Sequence, residues 1–240
     1  RDLRMSRGLG DVYKRQFQSS VIDFDKDRSD RSTYKLLGGS IGFYGSTLNT
    51  RQYATKGYLE KLIAQVFTGR ERFEPGNPQE GYSPSPQERQ SWLQISYMKE
   101  AYHTMGPKFT LGWMAEALYS SKNFSENYTA TMMQAGEFAP TPHSKLMYNE
   151  AFRANQYVAA GIKPIYVLND MFQFRTEFYG FTPIFPIKKN ALNKAYYGKA
   201  FSRFEYMGEV SVICHLPFGA ISAYVNHYSS PRREWNVGMT

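Results

Sequence analysis

Few residues in this chain have the types and spacing for chemistry, and the first that do surround a serine. The run YKLLGGSIGFYGSTLN, Tyr34 to Asn49, contains GGSIG, which fits the G-x-S-x-G pattern of a hydrolase nucleophile. In a nucleophile elbow a strand ends at the serine and a helix starts directly after it, so the hydroxyl sits on a strained turn above an oxyanion hole. After Ser40 comes IGFYGSTLN, which continues an alternating pattern with two further glycines, so no helix is expected. Leu37, Gly39, Ile41 and Phe43 share one face, which leaves Ser40 on the other with Gly38 and Gly42. Beyond Ser40 the only aspartate is Asp170, in an Asn-Asp pair. Ser40 therefore reads as part of a Gly-rich strand that relieves strain where a sheet curves, and catalysis is not expected of this chain.

Other reactive groups are scattered. His103, His143, His215 and His227 show no ligand spacing, and the single Cys214 excludes an intrachain disulfide and a Cys-based zinc site. No metal or cofactor is expected. Arg175 and Glu177, like Arg203 and Glu205, alternate onto the polar face of their segments, where they form either a structural charge ladder or a substrate filter. Lys188, Lys189, Arg232 and Arg233, with Arg70, Arg72, Arg89, Lys122 and Lys194, fall in polar connections. Phosphates of lipopolysaccharide would favour them there, and so would plain solvation. The NFS and NYT sequons at Asn123 and Asn127 matter only in a glycosylating compartment.

These residues must be positioned by strands. The chain has 240 residues, with 19 Tyr and 17 Phe, and no apolar run long enough for a membrane-spanning helix. A β-barrel crosses a membrane with a much weaker signal per segment, so modest mean hydropathy does not exclude it. Residues 1–16, RDLRMSRGLGDVYKRQ, lack either periodicity and resemble translated sequencing-adapter sequence; without them the formal charge falls from +8 to +5. Basic and acidic residues interleave thereafter, which offers no groove for nucleic acid.

Period-two alternation dominates from residue 33. In KFTLGWMAEALY, Phe109, Leu111, Trp113, Ala115, Ala117 and Tyr119 share one face. In DMFQFRTEFYGF, Phe172, Phe174, Thr176 and Phe178 oppose Gln173, Arg175, Glu177 and Tyr179. In FEYMGEVSVICHL, Tyr206, Gly208, Val210, Val212, Cys214 and Leu216 oppose Glu205, Glu209, Ser211 and His215. The pattern predicts strands near 33–47, 57–69, 91–104, 107–120, 128–138, 145–154, 156–168, 171–184, 199–216, 218–229 and 234–240. Several are long enough to cross a bilayer when tilted. The segment 139–156 alternates poorly, and its alternative is a loop folded into the lumen. Tight connections at 106–107, 169–170 and 217–218 alternate with longer, more polar ones, as in an outer-membrane barrel. The fold class expected is all-β: an antiparallel transmembrane β-barrel domain over residues 17–240, about 11 to 12 strands of a barrel of up to about 16. The final EWNVGMT lacks a terminal aromatic residue, so both ends are expected to be truncated.

TLNTRQYATKGYLEKLIAQV, Thr47 to Val66, resembles the hairpin of the bacterial surface-antigen barrel family. Asn49, Tyr53, Thr55, Lys56 and Gly57 occupy its turn motif. FRANQYVAAGIKPIYVLNDMFQFRTEFYGFTPI and LPFGAISAYVNHYSSP look more particularly like the C-terminal barrel of Gram-negative patatin-like phospholipases. Together these matches cover roughly residues 33–240. The resemblance implies an outer-membrane barrel anchoring, or serving as conduit for, an upstream patatin domain with its own Ser/Asp dyad. Implied partners are outer-membrane lipid, lipopolysaccharide and the barrel-assembly machinery; a homo-oligomer is compatible with it. One alternative is a protein-assembly or translocation barrel, whose Arg-containing lumen-loop signature has a distant echo in FRAN, 152–155. The alternative of another class is a soluble serine hydrolase built on GGSIG.

Overall fold

The computed structural model describes residues 30–76, 89–217, 219–230 and 235–239. Residues 1–16 and the paired arginines Arg232 and Arg233 lie outside them. In chain order the elements are β1 (Arg31–Ser46), β2 (Gly57–Glu74), β3 (Arg89–Thr104), β4 (Phe109–Ser120), α1 (Tyr128–Gln134), β5 (Gly136–Glu137), β6 (Arg153–Ala154), β7 (Gln156–Val167), β8 (Phe172–Pro183), β9 (Ile187–Lys189), β10 (Ala195–Tyr197), β11 (Glu205–Leu216), β12 (Gly219–Tyr228) and β13 (Trp235–Met239).

Nine of these strands form one antiparallel sheet in the order β1-β2-β3-β4-β7-β8-β11-β12-β13. Every strand pairs with the next of the nine along the chain, so the sheet is a meander. It is not closed into a barrel: β1 and β13 form its two edges. No helix among the described residues is long and apolar enough to cross a membrane.

The alternation seen in sequence sets which face is buried. On β8, Phe172, Phe174 and Phe178 are 39, 42 and 52 % exposed, whereas Gln173, Arg175, Glu177 and Tyr179 are 1, 2, 5 and 3 % exposed. β11 repeats the inversion, with exposed Tyr206, Val210 and Val212 against buried Glu205, Glu209 and Ser211. A soluble sandwich puts its aromatic face against a second sheet. Here the covered face is the one that carries the charged and polar side chains, together with the buried Met114, Leu118, Tyr157, Phe181 and Met207, and the outward apolar face has no second sheet among the described residues. The sheet curls around it: Arg175 on β8 donates to Tyr102 on β3 at 2.9 Å, although those strands lie three places apart, about 14 Å in a flat sheet.

The cover comes from the chain between β4 and β7. Two strands expected there, 128–138 and 145–154, are not part of the sheet, which has nine strands rather than eleven. Asn127 caps α1 by accepting from the Ala130 backbone N–H, and residues 139–152 form a loop with two 3-10 turns folded against the inner face. Pro140 and Pro142 lie between the two expected strands and cannot donate to a ladder, which suits the loop alternative for 139–156. Phe138 and Phe152 pack on Phe181 of β8 with ring centroids 5.8 and 5.6 Å apart, and Phe152 meets Tyr228 of β12 at 5.9 Å. Each buried ring contributes about 2 to 3 kcal/mol. Losing two strands leaves the direction of every later strand unchanged, so β1 and β13 run the same way.

Connections differ sharply between the two ends of the sheet. β3–β4, β7–β8 and β11–β12 join through 105–108, 168–171 and 217–218, at the end that also carries the ten-residue β1–β2 connection 47–56, while the opposite end carries the 121–155 insert and the β9–β10 hairpin. That hairpin was missed in the sequence, and it is why β11 begins at Glu205 rather than near residue 199.

Candidate functional site

The concave face is where chemistry-bearing side chains converge, and three groups of contacts build it. The first is a buried charge cluster. Arg175 pairs with Glu177 (Nε to Oε1, 2.5 Å) and donates to the Ala54 carbonyl at 3.0 Å and to the Tyr102 hydroxyl at 2.9 Å. Tyr179 donates to the other Glu177 oxygen at 2.5 Å. Tyr102 donates to Glu100, whose carboxylate also meets Lys163 of β7 at 3.0 Å. Every charge here has an opposite partner and a hydrogen bond, which is the condition for keeping ions out of water.

The expected ladder is therefore differently made. Arg175 and Glu177 pair along one strand, and the link across the interior runs through Tyr102, Glu100 and Lys163, which the sequence reading did not single out. Arg203 and Glu205 form a separate pair at 2.6 Å, with Glu205 also accepting from Ser229 at 2.5 Å. The overlooked signal was Lys163, a cation at an inward position of the otherwise apolar run GIKPIY.

The second group joins the insert to the far wall. His143 Nδ1 lies 2.8 Å from Glu209 Oε1 on β11, and Nε2 lies 3.1 Å from Ser222 Oγ on β12. The imidazole stacks on Tyr224, with centroids 3.5 Å apart and planes 14° from parallel. Carboxylate, imidazole and hydroxyl thus stand in the order of a hydrolytic triad. Access decides against that use. Ser222 and His143 are 0 and 1 % exposed, and Ser222 Oγ accepts a hydrogen bond from the Tyr53 hydroxyl at 2.9 Å. A substrate carbonyl would have to displace both the insert and the β1–β2 connection. What the arrangement does is latch the insert onto β11 and β12.

The third group is the β1–β2 connection, residues 47–56, carrying the turn motif. Asn49 Oδ1 accepts from the Thr55 and Lys56 amides at 3.0 and 3.1 Å, and Asn49 Nδ2 donates to Thr55 Oγ1 at 3.0 Å. Gly57 has φ 91°, and a Cβ there would sit 2.2 Å from the Thr47 carbonyl oxygen. Glycine is required by both conformation and space. Tyr53, at φ 55°, reaches inward to Ser222, while its carbonyl accepts from Gln173 at 3.2 Å.

Remaining residues are dispersed. Ser40 lies inside β1, which continues to Ser46, with Gln65 opposite it. Arg153 of FRAN donates to the carbonyls of Met132, Met133 and Ala135 at 3.3 to 3.4 Å and pairs with Glu137 at 2.6 Å, so it caps the C-terminus of α1 within the insert. Lys188 and Lys189 are exposed on β9, at the long-connection end. Lys122, just after β4, lies 4.9 Å from the Trp92 ring; burial pushes its ammonium down to about 8, with Glu71 acting in the opposite direction. His103 takes the Trp113 indole N–H at 3.3 Å, His215 meets Gln173 at 2.7 Å and His227 stacks between Tyr206 and Trp235. Cys214 is half-buried on the outward face. Among the described residues no group of three or more His, Cys, Asp or Glu side chains could hold a metal.

No protein-family model and no curated protein sequence matches the chain.

Proposed function

We propose that this chain is part of the wall of an outer-membrane β-barrel, with the 121–155 insert folded into its lumen, and that it anchors an upstream patatin-like acyl hydrolase. One observation carries the membrane reading: long strands expose Phe, Tyr, Val and Ile on one face, while their Arg, Glu, Gln and Ser turn to a covered interior that they share with the buried Met114, Leu118, Tyr157, Phe181 and Met207. In water that arrangement leaves a large apolar surface unexplained. In a bilayer it is the expected one. Lengths agree as well. β4, β7, β8 and β11 each have 12 residues, and such a strand rises about 40 Å, or roughly 30 Å when tilted by about 40°. Aromatic residues fall at both ends of the outward face, with Phe109, Tyr166 and Phe174 at the tight-turn end and Tyr119, Tyr206 and Trp235 at the other.

Hydrocarbon tolerates no unpaired strand edge. Because β1 and β13 run the same way, antiparallel closure needs an odd number of further strands, which gives the even total usual in bacterial barrels. The acyl-hydrolase partner rests on the resemblance of residues 152–184 and 216–231 to the phospholipase-attached barrels, and on the Asn49–Gly57 turn motif. GGSIG is read as wall, since β1 runs straight through Ser40.

The test is heat-modifiable mobility. Refolded into detergent or vesicles, the protein should migrate faster in unheated than in heated SDS samples and resist protease along β4–β12. A soluble monomer in plain buffer, with one mobility, would contradict the reading.

A further inference from the structure

The outward face of β1–β3 is not uniformly apolar. In register order its rungs are Arg31–Glu74, Thr33–Arg72, Lys35–Arg70–Arg89, Leu37–Thr68–Ser91, Gly39–Val66–Leu93, Ile41–Ala64–Ile95, Phe43–Leu62–Tyr97 and Gly45–Glu60–Lys99. At the tight-turn end the signs are balanced, with Lys99 3.7 Å from Glu60 and Tyr97 donating to that glutamate at 2.6 Å. At the long-connection end they are not. Lys35, Arg70 and Arg89 stand directly opposite one another, and like charges facing across strands destabilise a sheet. Among the described residues none of the three has an acidic partner; Glu74, the acid of these rungs, is paired with Arg72 at 2.9 Å.

Shape follows the charge. A groove of about 440 Å³ is lined by Lys35, Leu37, Thr68, Arg70 and Arg89 together with Tyr34 and Leu36 of the alternate positions of β1, and a second of about 250 Å³, sharing Lys35 and Arg70, extends to Arg31, Arg72 and Glu74. The Arg89 guanidinium is held over the first by its Nε donating to Thr68 Oγ1 at 3.0 Å. Directly below the cationic rung the exposed side chains of Leu37, Val66, Ile41 and Phe43 form a strip running down the strands. A cationic rung above an apolar strip matches an amphiphile with a multiply anionic head and several acyl chains.

We propose that this face binds a phosphorylated, acylated glycolipid of the outer leaflet, the lipid A portion of lipopolysaccharide, with its phosphates on Lys35, Arg70 and Arg89 and its acyl chains along Leu37, Val66, Ile41 and Phe43. The assignment rests on the membrane reading above. It moves the phosphate contacts from the polar connections, where Lys188 and Lys189 lie, to the wall itself.

The full chain is inserted into phosphatidylcholine nanodiscs containing a few per cent of bisphosphorylated lipid A, and the lipid retained after mild detergent extraction is counted by native mass spectrometry. Retention of lipid A by the wild type is expected. The variant Lys35→Gln/Arg70→Gln/Arg89→Gln should weaken it by about a hundredfold, at about fivefold per basic residue. Lys188→Gln/Lys189→Gln should leave it unchanged. Dephosphorylated lipid A should not be retained, and inorganic pyrophosphate should not compete. Full retention by the triple variant, equal retention of the dephosphorylated lipid, competition by pyrophosphate or loss in the Lys188/Lys189 variant would each overturn the site. If the triple variant fails to insert, wild-type discrimination between the two lipid A forms still decides. Failure of the wild type to insert into lipid-A-free phosphatidylcholine discs would instead sink the membrane reading and this site with it; insertion without phosphate-dependent retention sinks the site alone.

Discussion

The inner faces of β7–β12 and of β1–β2 belong to the same curved sheet, yet they are finished in opposite ways. On β7–β12 the inward row is large and polar or aromatic, and the insert covers it: Phe138 and Phe152 on Phe181, His143 on Glu209 and Ser222. On β1 the inward row includes Gly38, Ser40 and Gly42, all exposed. Tethering explains the difference. The insert leaves β4 and returns to β7, so it lies over the strands that follow, and their inner residues are matched to it. The lesson is that the inner face carries large buried side chains where the chain supplies its own cover, and small exposed ones on β1, where it does not.

The largest break in that contrast should come from the filled side. Arg175→Ala strands Glu177 among buried groups and should cost about 3 to 5 kcal/mol in urea unfolding from detergent or lipid. Gly57→Ala, which strains the connection reaching from the bare side to Ser222, should cost about 2 to 3 kcal/mol in the same assay. His143→Ala removes the contacts to Glu209, Ser222 and Tyr53 and a stacked ring and leaves Glu209 without its partner, for about 2 kcal/mol. It should also free the insert, read as earlier protease cleavage within 139–150 and as higher ion conductance in planar bilayers. A smaller effect depends on pH. Lys122 in the folded protein releases its proton near 8, whereas the unfolded chain holds it to about 10.5, so the unfolded state binds more protons between those values. Stability should rise with pH across that window, and Lys122→Met should abolish the rise. Ser40→Ala, on the bare side, should change stability by less than about 0.5 kcal/mol. A cost above 2 kcal/mol there would show that Ser40 has a buried partner.

Much of the wall was legible because a single rule, alternation with period two, governs both strand and face. It placed Phe174 and Phe178 on one side and Arg175 and Glu177 on the other, as the structure does. The rule failed over 128–138 and 145–154, where apolar Met132, Phe138 and Phe152 face inward from a helix and a loop; for 139–156 the structure has the alternative, a loop folded against the inner face. Apolar residues mark burial of any kind, so they were read as wall. The cue that separates the cases for 128–138 was local: Asn127 as a helix cap. The latch was not legible at all. His143 lies 66 residues from Glu209 and 79 from Ser222, and no spacing rule joins the insert to the adjacent strands β11 and β12 against which it folds.

A nitroxide walked singly through residues 172–179, in a Cys214→Ser background reconstituted in vesicles, tests most directly which solvent touches the outward face. The account predicts oxygen collision rates that peak at Phe172, Phe174, Thr176 and Phe178 and fall at Gln173, Arg175, Glu177 and Tyr179, with a water-soluble nickel chelate excluded from the peaks. Free access of the chelate to those four positions, or loss of the period-two pattern, would contradict it.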